Sequence, residues 1–223
     1  MRPVSICAVV LFAACVSPAA PAGSPTLTIV LDFQGKHSVA STIEMKREFG
    51  HLMKDVPLRF DWRSRAEVAQ LSIGDLVVVR FNGTCVLDAD SHVDAEPGPL
   101  AFSYSAGGLV QPFAAVACDR VTATVQQAMG AASFNLADRL LGRALGRVLA
   151  HEVVHMLTRS AEHGSSGISK PALSGSELIA PNLRLDPAER ERLSTALGPE
   201  QPSAATAIPS PTQSGDTKFS RIE

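Results

Sequence analysis

The chain has 223 residues, 45% of them hydrophobic, with 20 Lys plus Arg against 22 Asp plus Glu and a formal net charge of −2. This is ordinary globular composition and enough length for one domain with a sizeable core. The balanced charge, with no basic cluster, gives nucleic-acid binding no electrostatic support, and a single Trp and a single Tyr do not make a base-stacking platform.

Met1-Arg2 supplies a short basic start, Val4 to Val16 is apolar, and Ala20-Pro21-Ala22 is an A-x-A site before Gly23. This is the layout of a secretory signal peptide over residues 1–22, so the mature protein is expected to be secreted or periplasmic. An apolar run of about 13 residues is too short to cross a bilayer, and no later stretch approaches about 20, so no transmembrane segment is expected in the mature chain. A second layout is a lipoprotein anchored at the cell envelope through Cys15 after Leu11-Phe12-Ala13-Ala14, although Phe12 suits that signal poorly. Removing the leader takes Cys7 and Cys15 with it and leaves Cys85 and Cys118 as the pair in an oxidising compartment. A disulfide between them closes a loop of 33 residues, worth roughly 3 to 4 kcal/mol in the chain-entropy model. Metal ligation by these two cysteines is the rival use, and it lacks a third cysteine nearby.

Leu27 to Phe33 alternates with threonine and β-branched residues and reads as a strand. Ser41-Thr42-Ile43-Glu44 is a capping box that opens a helix to about Lys54. Strands are expected at Leu58 to Trp62 and, after a Gly74-Asp75 turn, at Leu76 to Phe81. Asn82-Gly83-Thr84 matches a glycosylation sequon and reads as incidental in a bacterial-looking chain. Val86 to Gly108 is rich in Asp, Pro, Gly and Ser and is expected to loop over the sheet edge, with a strand near Leu100 to Tyr104 and another from Leu109 to Ala117. Val121 to Met129 suits a short helix. His37, His51 and His92 each stand alone in polar surroundings and read as surface residues.

From Asn135 the apolar residues Leu136, Leu140, Leu141, Ala144, Leu145, Val148 and Leu149 recur at the helical period, with Asn135 and Asp138 as an N-cap pair. Gly142 and Gly146 cost this helix about 1 kcal/mol each relative to alanine, a penalty more easily tolerated where another backbone packs closely. The helix reads as buried and central. At its end stands His151-Glu152-Val153-Val154-His155. Residues four apart lie one above the other on a helix, so both imidazoles can reach one ion, and Glu152 is placed to take a proton from a metal-bound water. The HExxH spacing arises by accident in roughly one such sequence in a hundred, so its helical context decides. The bland alternative is a core helix with two hydrogen-bonded histidines.

A catalytic zinc takes three protein ligands plus water, so a third residue is needed. His163 follows His155 by eight residues, which on an unbroken helix is about 12 Å along the axis and too far for a shared ion. The helix must therefore stop soon after His155, within Thr158-Arg159-Ser160, ahead of the small polar run His163-Gly164-Ser165-Ser166-Gly167. Glu162, or no third protein ligand, is the remaining alternative on this segment. Asp186-Pro187-Ala188-Glu189-Arg190-Glu191-Arg192-Leu193 reads as a capped final helix, and beyond Gly198 the Pro/Ser/Thr/Ala composition predicts disorder.

Over about 25 to 30 residues around the motif, the chain resembles the zincin metallopeptidases and, more loosely, their metzincin branch. Metzincins read HExxHxxGxxH and carry a later methionine turn. This chain has Thr158 at the glycine position, Ala161 at the third histidine position, and no methionine after Met156. It is also similar to a set of small secreted bacterial proteins of unknown function with a comparable Arg-Val-Leu-Ala-His-Glu-x-x-His-Met-Leu and a later histidine.

The resemblance implies an α+β, zincin-like fold over residues 23–197: a small mixed sheet, an active-site helix carrying HExxH and a C-terminal helix. The strand, helix, strand, strand order ahead of the motif agrees with a zincin N-terminal half, whose edge strand holds an extended peptide by strand addition. Because some zincins take a glutamate from a second downstream helix, Glu177 competes with His163 for the third position. Tyr104 is a candidate for stabilising the oxyanion, and Arg159 for the oxyanion or a substrate carboxylate.

The function so implied is a secreted, monomeric, zinc-dependent peptidase acting on peptide or protein substrates. Zinc on His151, His155 and His163 would activate water with Glu152 as base. Two alternatives remain open: a zincin-derived secreted or surface-tethered binding protein with a structural metal and no turnover, and a metal-free secreted interaction domain. No pro-segment with a cysteine switch is available, because both leader cysteines leave with the signal peptide.

Overall fold

A computed structural model describes residues 25–68, 75–88, 95–129, 136–198 and 220–222. The signal peptide and Cys15, the Gly74 side of the turn, His92, Asn135 and most of the C-terminal tail fall outside the described residues.

Strand β1 (Thr26–Phe33) pairs in parallel with β2 (Arg59–Ser64) on one side and β3 (Leu76–Asn82) on the other. Helix α1 (Val39–Leu52) provides the crossover that a parallel β1–β2 pair requires. β3 pairs in parallel with β5 (Leu109–Ala117), and β5 pairs antiparallel with β4 (Ala101–Ala106), its hairpin partner across Gly107-Gly108. Both glycines have positive φ, 59° and 80°, where an L side chain is strained. The sheet is therefore mixed, with β4 outside β5. A short β6 (Ser220–Ile222) adds antiparallel to β4, giving the order β2-β1-β3-β5-β4-β6. This strand lies within the tail expected to be disordered, and its backbone pairing is the difference from that expectation.

One face of the sheet is read directly from the register. Leu31, Val79, Ala114 and Ser103 align across β1, β3, β5 and β4, and Phe81, Val116 and Ala101 form the next row. The apolar members of these rows share a buried cluster with Met45 and Phe49 of α1 and with Leu145, Leu149 and Val153 of helix α4 (Ala137–Thr158). α4 is enclosed over most of its length, Arg147 included, as its long apolar run predicts. The buried Arg147 guanidinium is held by Glu48 of α1 at 2.8 Å and by the backbone carbonyls of Glu177 and Ala180 at 2.5 and 2.7 Å. A charge so placed needs these partners to offset its desolvation.

Gly142 and Gly146 lie where α1 crosses α4. A Cβ at Gly142 would stand 2.5 Å from the Ser41 carbonyl oxygen, and one at Gly146 would stand 2.7 Å from that of Met45. The close backbone approach expected from the two glycines is present. The capping of α1 differs from expectation: Ser38 is the N-cap, accepting from the Ser41 backbone N–H, and the Ser41 hydroxyl instead donates to Asp138 of α4 at 2.7 Å. The helix begins about one turn earlier than expected, and Ser41 is used across the helix pair.

Short helix α2 (Arg65–Val68) follows β2, and α3 (Cys118–Ala128) links β5 towards α4. Cys85 and Cys118 form the expected disulfide, with Cα atoms 4.9 Å apart, fastening the loop after β3 to the start of α3. Beyond α4 come a 3-10 turn at Gly167–Ser169, α5 (Gly175–Ile179) and α6 (Pro187–Ala196). α6 is capped by Asp186 with proline in its first turn, as read from the sequence. His37 and His51 are exposed. Among the described residues, no helix is long and apolar enough to cross a membrane.

Candidate metal centre

α4 puts His151 and His155 on one face, with ring centroids 4.5 Å apart. The Nδ1 of His151 meets the Ile168 carbonyl oxygen at 2.5 Å, and the Nδ1 of His155 meets that of Ser160 at 2.7 Å. A carbonyl oxygen only accepts, so each Nδ1 carries the proton. Burial lowers His151 to about 3, helped by the neighbouring His155, and lowers His155 to about 4, so both rings are neutral near pH 7. Each Nε2 is then a bare lone pair, and the two face each other at 2.8 Å. Two acceptors at that distance repel unless a cation lies between them.

The break in α4 falls where the ligand argument required it. Thr158 is the last helical residue, and Arg159 adopts a left-handed conformation with φ 51°. The Ser160 N–H bonds to the His155 carbonyl oxygen at 3.2 Å, which turns the chain back over the helix. His163 arrives with its ring centroid 5.2 Å from that of His151 and 4.8 Å from that of His155. Its Nε2 is buried and has no hydrogen-bond partner. Burial lowers its pKa, and Arg192 lowers it further, so this ring too favours the neutral, ligating form.

One ligand atom from each of the three histidines lies within 4.8 Å of the others, so the cluster can hold a metal ion. Tetrahedral bonds of about 2.1 Å place ligand atoms roughly 3.4 Å apart, between the 2.8 Å pair and the 4.8 Å limit. Carbonyl bonds to the far nitrogen of each helical histidine are the usual means of orienting such ligands. The Ile168 carbonyl is delivered by the 3-10 turn, whose Gly167 has φ 60° and would bring a Cβ within 2.1 Å of the Arg184 carbonyl oxygen.

Glu152 is 1% exposed. Its Oε2 accepts from the Ser103 hydroxyl at 2.5 Å, while Oε1 is buried and without a partner. Burial pushes the carboxyl up to about 8, with the Ser103 hydrogen bond acting in the opposite direction. Glu189 of α6, also 1% exposed and bonded to Arg192 at 2.5 Å, lines a small pocket with His151, His155, Ile168 and Ser169.

Of the other candidates, Glu162 also lines this pocket. Glu177 closes the capping box of α5 with Ser174 and pairs with Lys170 at 2.6 Å. These contacts hold its carboxyl down to about 2, the Lys170 hydrogen bond being the largest influence. Glu162 faces Arg192 at 3.3 Å, with its side chain exposed. Tyr104 packs edge-on against Phe102, is 39% exposed and lies where the β4–β5 register shifts between Ser103 and Ser105, whereas it is the adjacent Ser103 that bonds to Glu152. Arg159 is exposed and serves as the helix C-cap.

Ser103, Glu189 and the two carbonyl acceptors, of Ile168 and Ser160, were not found in the sequence. Strand alternation beside the aromatic residues Phe102 and Tyr104 was the available signal for Ser103; the others have no motif. No protein-family model matches the chain, and no match is found among curated proteins.

Proposed function

We propose that this chain is a secreted zinc-dependent peptidase of the zincin kind, acting at the centre formed by His151, His155 and His163. The observation that carries the reading is the pair of opposed Nε2 lone pairs at 2.8 Å, with the partnerless Oε1 of Glu152 on the same helix. A purely structural site has no use for that carboxylate. The mixed sheet packed against the HExxH helix, with the antiparallel strand β4 beside Glu152, also supports it.

Zinc would supply a Lewis acid that lowers the pKa of water to about 7 and polarises a peptide carbonyl. Glu152, with Oε1 unengaged, takes the proton of the attacking water and passes it to the leaving amine. Burial alone raises this carboxyl to about 8, and a bound dication beside it would act in the opposite direction and favour the ionised form that can accept the proton. Ser103 fixes Oε2, so the carboxyl is presented in one orientation. The Ile168 and Ser160 carbonyls keep both helical histidines in the tautomer whose Nε2 can ligate.

A binding protein with a structural metal is the second reading, favoured by the enclosure of Glu152 beneath β4. Elemental analysis after dialysis is expected to give one zinc per chain. Glu152→Gln is expected to keep that zinc and to lower peptide hydrolysis by about 10²-fold or more. A zinc-loaded wild type that cleaves nothing in an unbiased peptide library, and is indifferent to Glu152→Gln, belongs to the second reading. A chain that neither takes up zinc nor gains thermal stability from it rules out both.

A further inference from the structure

We propose that the segment Ser220–Ile222 occupies in cis the β4 edge on which an extended peptide would be held, so that this segment and a peptide compete for one strand position. The competition rests on the peptidase reading; the occupancy does not.

β4 lies outside β5 in the sheet and presents its far edge for pairing. An edge strand carries a row of N–H and C=O groups that recruit another strand. Here they pair antiparallel, with Ala101 opposite Ile222, Phe102 opposite Arg221 and Ser103 opposite Ser220. Ser103 joins this edge to the centre, because its hydroxyl bonds to Glu152 at 2.5 Å. The added strand therefore runs past the residue that reaches the proposed base.

The chain is long enough for this return. Ser220 follows Gly198 by 22 residues (220 − 198), an upper reach of roughly 70 Å at ~3.3 Å per residue. Three residue pairs form few backbone hydrogen bonds, each contributing little net stability in water, so the segment is held weakly enough to be displaced. Tethering makes its association intramolecular and compensates for the short contact.

The test compares the full wild-type chain with Ser220→Pro/Arg221→Pro. Successive strand N–H groups point to opposite sides, so one of the two faces β4, and proline has none. Amide hydrogen exchange is read at Ala101–Ser103, with β1 as the internal control. In the double variant, exchange of a β6-facing amide in that stretch should accelerate about fivefold or more, the loss of one backbone hydrogen bond, while β1 is unchanged. The free peptide DTKFSRIE, residues 216–223, should restore protection in the variant and leave the wild type unaffected. Equal exchange in the two chains overturns the proposal. So does wild-type exchange at Ala101–Ser103 as fast as in loops, a measurement that needs no variant.

Peptide hydrolysis is read separately. Competition predicts a lower KM in the variant with kcat unchanged, and equal KM in two active chains overturns the competition. If neither chain hydrolyses peptide, the peptidase reading fails while the exchange result still decides the pairing.

Discussion

The Ser103 hydroxyl donates to Glu152 Oε2 at 2.5 Å and ties strand β4 to the helix that carries His151 and His155. With Oε1 already partnerless, this is the one hydrogen bond described for a fully buried carboxyl. Ser103→Ala is expected to cost about 1 to 3 kcal/mol, the penalty for a buried polar group left unsatisfied. Denaturant unfolding of the metal-free protein measures it. A change within about 0.5 kcal/mol, the usual size of an inconsequential substitution, would mean that Glu152 finds another donor.

His163→Ala should strip most of the zinc and lower the melting temperature in zinc, since metal binding contributes directly to folding free energy. Glu177→Ala should retain it, because that carboxylate is engaged by Lys170 and Ser174. Metal content after dialysis against a weak chelator gives the answer. Zinc lost from the Glu177 variant and kept by the His163 variant would reverse the ligand assignment.

Gly146→Ala sets two effects against each other. Alanine is favoured over glycine within a helix by about 1 kcal/mol. Its Cβ would stand 2.7 Å from the Met45 carbonyl oxygen and 3.2 Å from the Phe49 nitrogen, both backbone atoms of α1. Overpacking of this kind costs roughly 1 to 3 kcal/mol, so the variant should be net destabilised. A higher melting temperature than wild type would show that α1 moves away at little cost.

The depressed Glu177 carboxyl makes a pH prediction. Its folded value of about 2 lies below the ordinary 4.5, the Lys170 hydrogen bond being the main cause. Its contribution is therefore present above pH 4.5 and is lost as pH falls towards 2. The side chain is 34% exposed, and solvent screening limits the effect to the order of 1 kcal/mol or less. Glu177→Gln should flatten the acid limb of the stability profile while leaving the slope above pH 5 unchanged. An acid limb as steep as that of wild type would contradict the ion pair.

Much of the fold was legible because its cues are local. The alternation in Leu27 to Phe33 and Leu76 to Phe81, the helical period from Leu136 to Leu149 and the Asp186-Pro187 cap are all patterns written in near neighbours in sequence. His151, Glu152 and His155 were legible for the same reason, since helix geometry alone puts two residues four apart on one face. Even the helix break followed from a length argument, once His163 was taken as the third ligand.

What stayed hidden involves partners far apart in the chain or facts of facing. Ser41 could serve as its own helix's cap or bond across to Asp138, 97 residues on, and only the packing of α1 on α4 chose. Tyr104 drew notice as the single tyrosine, yet strand alternation gives the inward place to Ser103, and which face of β4 meets α4 is decided by the whole sheet register. The composition of the tail after Gly198 said nothing of Ser220–Ile222 pairing with β4, because backbone hydrogen bonds carry no residue signature. The sequence by itself determined the periods, the Asp186 cap and the two helical histidines, which are properties of neighbouring residues. The tertiary structure alone decided which carbonyls orient those histidines, which hydroxyl meets Glu152 and which strand lines the edge, because each depends on contacts that exist only once the sheet and α4 have closed on one another.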